Sequence, residues 1–138
     1  MSKVAIVFWS QTGNTETMAN CIAEGAGANA TIIPCSEMNA AKLGEYDVVA
    51  FGCPAMGAEQ LEESEFEPMF SDLEGSLNGK KVAMFGSYGW GDGEWMRSWE
   101  KSCDDANINL FTESVICCEA PDDDALAACT AMGKALAE

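Results

Sequence analysis

A chain of 138 residues, 48% of them hydrophobic, is long enough for one compact domain with a real core and too short for two. Seven Lys and Arg against 23 Asp and Glu give a formal charge of −16, and no His is present to titrate near neutrality, so nucleic acid, itself a polyanion, is excluded as a partner. The acidic surface has two readings that charge alone leaves even: plain solubility, or steering towards partners with basic docking faces. The amino terminus, Met1-Ser2-Lys3 and the short apolar run Val4 to Trp9, is too brief for a signal peptide or a membrane span, so a cytoplasmic protein with no membrane contact is expected. Cysteines at 21, 35, 53, 103, 117, 118 and 129 form no Cys-x-x-Cys pair, and they are read as reduced and mostly buried with no metal bound. Cys117 and Cys118 fall next to each other in a strand-like run and should point to opposite faces, which argues against a vicinal disulfide.

In chain order, Val4 to Trp9 reads as a strand buried on both faces, which favours a parallel sheet. Met18, Ala19, Ile22 and Ala26 then recur at helical spacing, with Gly25 and Gly27 at the end. Strand-like runs return at Ala30 to Pro34, Asp47 to Gly52, Lys81 to Gly86 and Leu110 to Cys118, making five strands in all. Between the first two of these only a single helical turn around Ala40 to Leu43 is suggested. Phe66, Met69, Phe70, Leu73 and Leu77 line a helical stripe behind the acidic lead-in Glu59 to Glu67, and Pro68 suits the first turn of that helix. Trp95, Met96, Trp99 and Cys103 make the next stripe. The last helix starts behind Asp122-Asp123-Asp124 with Leu126, Cys129, Met132 and Leu136 inward. No internal repeat or interdomain linker interrupts this, and residues 1–138 are read as a single α/β domain: a doubly wound parallel sheet with right-handed crossovers and helices on both faces.

In such sheets ligands bind beyond the carboxyl ends of the strands, so the loops leaving the first, third and fourth runs carry the functional reading. The first is Ser10-Gln11-Thr12-Gly13-Asn14-Thr15. Its hydroxyls, with the free N–H groups of a helix start, make an anion cradle for one phosphate; a helix cap built from Ser, Thr and Asn is the equal alternative. It lacks the lysine of a nucleoside-triphosphatase loop, and no G-x-G-x-x-G is present. The second loop, Cys53-Pro54-Ala55-Met56-Gly57-Ala58-Glu59, is small and apolar up to its last residue. Gly57 at its centre allows the peptide to Ala58 two orientations. The third, Ser87-Tyr88-Gly89-Trp90-Gly91-Asp92-Gly93, sets an indole between glycines straight after a buried strand. A stacking role on a flat ligand is the better reading of that indole.

Those loops, with Trp9 through Glu16, Gly52 through Gly57, Glu62 through Pro68 and Phe85 through Gly93 taken in order, resemble the short-chain flavodoxins of the clostridial and Megasphaera type along essentially the whole chain. The resemblance implies a flavodoxin-like five-stranded sheet of order 2-1-3-4-5. It also implies one non-covalent FMN, its phosphate held by Ser10, Gln11, Thr12, Gly13, Asn14 and Thr15. Met56, in the loop Pro54 to Gly57, would cover the inner face of the ring and Trp90 the outer. Glu59 would meet the flavin N3–H, main-chain groups around Gly89 and Gly91 the pyrimidine end, and Ser87, with Tyr88 beside it, the ribityl and phosphate region. A Gly57–Ala58 peptide flip would offer a carbonyl to the protonated N5 of the semiquinone. Ala58 departs from the Asp, Asn, Ser or Gly of close relatives and resists positive φ, so the flip should cost more here.

The function so implied is that of a monomeric, low-potential one-electron carrier using the semiquinone/hydroquinone couple, without substrate turnover of its own. Its partners would be basic-faced redox proteins of the flavodoxin reductase, hydrogenase or pyruvate oxidoreductase type. The main rival, an FMN-dependent NAD(P)H:quinone reductase, would need a pocket for its second substrate that so short a chain has little material to build. A receiver domain of a two-component system would need an Asp where this chain has Gly52-Cys53.

Overall fold

The computed structural model describes residues 3–10, 13–56, 61–77, 79–89 and 93–137. Its strands are β1 (Val4–Phe8), β2 (Ala30–Pro34), β3 (Val48–Gly52), β4 (Lys81–Tyr88), β5 (Asn109–Leu110) and β6 (Val115–Cys118). They form a parallel sheet of order β2-β1-β3-β4-β5, with β6 also paired to β4. The α-helices are α1 (Asn14–Ala26), α2 (Ala40–Leu43), α3 (Phe66–Leu73), α4 (Glu94–Asp105) and α5 (Asp123–Ala137).

Alternation along the central strands divides the core in two. Val4 and Ile6 of β1, Val48 and Ala50 of β3, and Ala83 and Phe85 of β4 pack with Met18, Ala19 and Ile22 of α1 and Cys129, Met132 and Leu136 of α5. The residues between them in sequence, Ala5 and Val7, Val49 and Phe51, Val82 and Met84, face Phe66, Met69, Phe70 and Leu73 of α3 and Trp95, Met96, Trp99 and Cys103 of α4. Both faces are therefore apolar, which is why these strands read as unbroken hydrophobic runs. On the first face α1 and α5 touch backbone to backbone: a Cβ on Gly133 would lie 2.0 Å from the Ile22 carbonyl oxygen.

The 2-1-3-4-5 order and the helices on both faces agree with expectation, and two strands differ. The run Leu110 to Cys118 is two strands, not one, because the chain leaves the sheet between them. Phe111 N–H still donates to the Val82 carbonyl (3.2 Å), whereas Ser114 Oγ turns out to donate to the Glu100 carboxylate on α4 (2.7 Å). The strand Lys81 to Gly86 runs two residues further, to Tyr88. In α5 the inward position at the start belongs to Ala125, and Leu126 is only half-buried. No described helix is long and apolar enough to cross a membrane.

Candidate functional site

At the carboxyl end of β1 the chain turns through the first loop into α1. Gly13 occupies the cap position with φ 95°, in the left-handed region that a side chain resists; a Cβ there would meet none of the described residues within 4 Å, so the glycine serves the turn. Its N–H donates to Ser10 Oγ (3.1 Å), and its carbonyl accepts from Thr17 N–H (2.9 Å) and Thr17 Oγ1 (2.9 Å). Among the described residues no side chain caps α1. Thr15, 1% exposed, carries a buried Oγ1 with no hydrogen-bond partner among the described residues. An unpaired buried hydroxyl beside an uncapped helix start is a cost in the protein alone and a set of donors for an anion.

The second loop is fastened along the end of β4. Cys53 N–H donates to the Phe85 carbonyl (3.2 Å) and Ala55 N–H to the Ser87 carbonyl (3.0 Å), while the Trp95 indole N–H from α4 donates to the Cys53 carbonyl (3.1 Å). This close approach requires Gly86, where a Cβ would stand 2.3 Å from the Cys53 carbonyl oxygen. Tyr88 lies against Trp95 with ring centroids 5.5 Å apart.

One cavity of about 220 Å³ joins the three loops. Ser10, Asn14 and Thr15 line it from the first, Pro54, Ala55 and Met56 from the second, and Ser87, Tyr88 and Gly89 from the third. Among the described residues neither Lys nor Arg lines it. Gln11 and Thr12, Gly57, Ala58 and Glu59, and Trp90 and Gly91 lie outside the described residues. Glu119 also lines the cavity, and sequence reasoning missed it. It sits just past β6 with φ 58°, its N–H donating to the Tyr88 carbonyl (2.6 Å). The signal that could have found it was its place at the carboxyl end of the last strand, ahead of Pro121. A larger groove of about 670 Å³ lies between β6 and α5, away from the first two loops.

The start of α3 is built differently. Glu62 is 6% exposed, and its carboxylate accepts from the N–H groups of Ser64 (2.8 Å), Glu65 (2.8 Å) and Phe66 (2.9 Å). Burial would raise this carboxyl, and the N–H donors outweigh it, so its pKa is held below the ordinary carboxylate range. The next turn contacts the first loop's strand: the Trp9 indole N–H donates to Glu65 Oε2 (3.2 Å). All seven cysteines are free. Burial is the main cause raising the Cys53, Cys103 and Cys129 thiols to about 12 and those of Cys35 and Cys117 to about 11, so none of these five is poised as a thiolate. Among the described residues no cluster of His, Cys, Asp or Glu could hold a metal ion.

A doubly wound α/β sheet whose switch-point cavity joins a helix start that no described side chain caps to the loops leaving β3 and β4 defines a flavodoxin-like protein. The family model for flavodoxin matches residues 6–133. The chain is 44% identical over 138 residues to the flavodoxin of Megasphaera elsdenii, covering 98% of each, and 44% identical over 135 residues to that of Clostridium beijerinckii, covering 96% of this chain and 97% of the other. The solution structure of two-electron reduced Megasphaera elsdenii flavodoxin superposes with a TM-score of 0.88, covering 97% of this chain and 98% of that one. This chain belongs to the flavodoxin family.

Proposed function

We propose that this protein holds one FMN in the cavity joining the three loops and carries single electrons between larger redox proteins, with no substrate turnover of its own. The observation that carries the reading is the buried Thr15 hydroxyl, which among the described residues has no partner, at a helix start that no described side chain caps. Such a place suits a phosphate: the α1 N–H groups and the Ser10 and Thr15 hydroxyls donate, and the helix dipole favours the charge. Gln11, Thr12, Gly13 and Asn14 complete the cradle in this reading. The apolar lining of the second loop, Pro54, Ala55 and Met56, and the Tyr88 ring of the third suit a flat ligand, with Met56 and Trp90 flanking it, Glu59 and the backbone of Gly57, Gly89 and Gly91 at its polar edge, and Ala58 limiting how readily the adjacent peptide turns.

Bound there, FMN supplies the redox chemistry, taking up and releasing electrons singly. The protein's part is to hold the phosphate with no Lys or Arg among the described lining residues, to keep water from the ring with Pro54, Ala55, Met56 and Tyr88, and to set it beside Glu119 in a chain of charge −16. Further negative charge is disfavoured in such a place, so the couple that adds it lies at low potential. The charge of −16 supports partners with basic faces, such as a flavodoxin reductase, a hydrogenase or a pyruvate oxidoreductase, and a carrier that stays monomeric; in this reading it works in the cytoplasm.

Anaerobic reductive titration of the purified protein, followed by visible spectroscopy, tests the reading. Two resolved one-electron steps are expected. A single two-electron bleach, or rapid reduction by NAD(P)H alone with turnover of a quinone, would replace the carrier by a reductase.

A further inference from the structure

The free edge of the sheet carries a feature that flavin binding leaves unused. Among the described residues β6 pairs with β4 alone, so its outer edge presents backbone N–H and C=O groups to solvent. Proteins usually shield such an edge with a charged residue, a proline, a bulge or a covering segment. β6 reads Val115-Ile116-Cys117-Cys118, with none of these, and Ile116 is 38% exposed, the one large apolar side chain so exposed among the described residues. Alongside runs the groove of about 670 Å³ between β6 and α5, floored by Met132, Ala128 and Ala131. Its acidic lining residues are Glu113, Asp122 and Asp124, and it has no basic ones.

We propose that this edge is a docking surface for an extended, Lys- or Arg-bearing strand of a partner protein, which joins the sheet next to β6. An unpaired edge recognises the backbone of an extended segment, whatever its side chains. Side chains of an added strand alternate between the two faces of the sheet, one set over the alanine floor of α5 and the other beside Ile116, which reaches towards Gly93 at the start of α4. Charge chooses among occupants. Three acidic groups around the groove and a chain at −16 repel a second copy of this protein and attract a basic strand. β6 ends at Cys118, and the next residue, Glu119, lines the three-loop cavity, so a strand seated here stands next to that cavity. The docking surface does not depend on the flavin reading, and its test does not use the flavin.

The test titrates the ¹⁵N-labelled full-length protein with an octapeptide of alternating Lys and Val, and with the same peptide carrying Pro in place of its two central Val residues. Expected are amide shifts centred on residues 115–118, slowed exchange of the outward β6 amides, binding that weakens as salt rises, and none of this with the proline peptide. Ile116→Lys, which blunts the edge and adds a like charge to the peptide's own, should weaken binding about tenfold, with the rest of its amide spectrum unchanged. Equal binding of both peptides, or shifts scattered over the acidic surface with no centre at β6, would overturn the proposal. So would a sedimenting dimer that broadens the β6 amides without peptide, since the occupant would then be a second copy.

Discussion

The starts of α1 and α3 follow neighbouring strands and are filled in opposite ways. At α3 the protein supplies its own anion: the buried Glu62 carboxylate takes three backbone N–H groups, and the chain needs nothing more there. At α1 the cap is a glycine in the left-handed region, and among the described residues no side chain reaches the helix-start N–H groups and the buried Thr15 hydroxyl has no partner. The two are linked, since Trp9, just before the first loop, donates to Glu65 at the α3 cap. A helix start saturated from within stabilises the fold, and one left open is a place for an external anion.

Making α1 resemble α3 should have the largest effect. Thr15→Asp puts a carboxylate where the phosphate is proposed to sit, and like charges so close cost about 4 kcal/mol, roughly a thousandfold in Kd for FMN. The apoprotein should lose no stability, because the new acid serves the helix start. Retained FMN affinity in a fluorescence-quenching titration would break the comparison. The converse change, Glu62→Ala, leaves the buried Phe66 N–H orphaned and removes charge from the α3 start, costing about 3 kcal/mol of apoprotein stability by urea unfolding.

Its pH dependence has a definite sign. The folded-state pKa of Glu62 is lowered, so the charge contribution is fully present above the unfolded carboxyl value of about 4.3 and is lost as pH falls through the folded value. Wild type and Glu62→Gln should differ in stability at neutral pH, and that gap should narrow under acid. A gap that widened in acid would mean the carboxyl is not held in its charged form.

Much of this was legible beforehand because it is local. Helical stripes such as Trp95, Met96, Trp99 and Cys103, and the buried runs of β1, β3 and β4, follow from spacing and burial alone. Ser10, Asn14, Thr15, Met56, Ser87 and Tyr88 could be singled out from loop chemistry and strand order, and they line one cavity. What escaped depends on distant partners. The break between β5 and β6 goes with the Ser114–Glu100 hydrogen bond, and Glu119 reaches the cavity through a left-handed turn tied to Tyr88. Glu62 looked like one acid among several until burial set it apart from Glu63 and Glu65, which are exposed.

Two smaller changes sharpen the contrast. Thr15→Val removes only the hydroxyl, so FMN affinity should fall by about 2 kcal/mol, near thirtyfold, while the apoprotein becomes no less stable, since an orphaned polar atom has been replaced by a methyl group. A parallel loss of apoprotein stability would show that the hydroxyl has a structural partner. Trp9→Phe cuts the link between the two helix starts. Because Glu65 is exposed, the expected cost is about 0.5 kcal/mol of stability by urea unfolding, with the fold otherwise unchanged.

The most direct measurement compares FMN with riboflavin, which lacks only the phosphate, on the same apoprotein by calorimetric titration. FMN should bind at least about a hundredfold more tightly, the α1 start and the Thr15 hydroxyl supplying the difference. Equal affinities for the two would contradict the account, because the open start of α1 would then hold no phosphate.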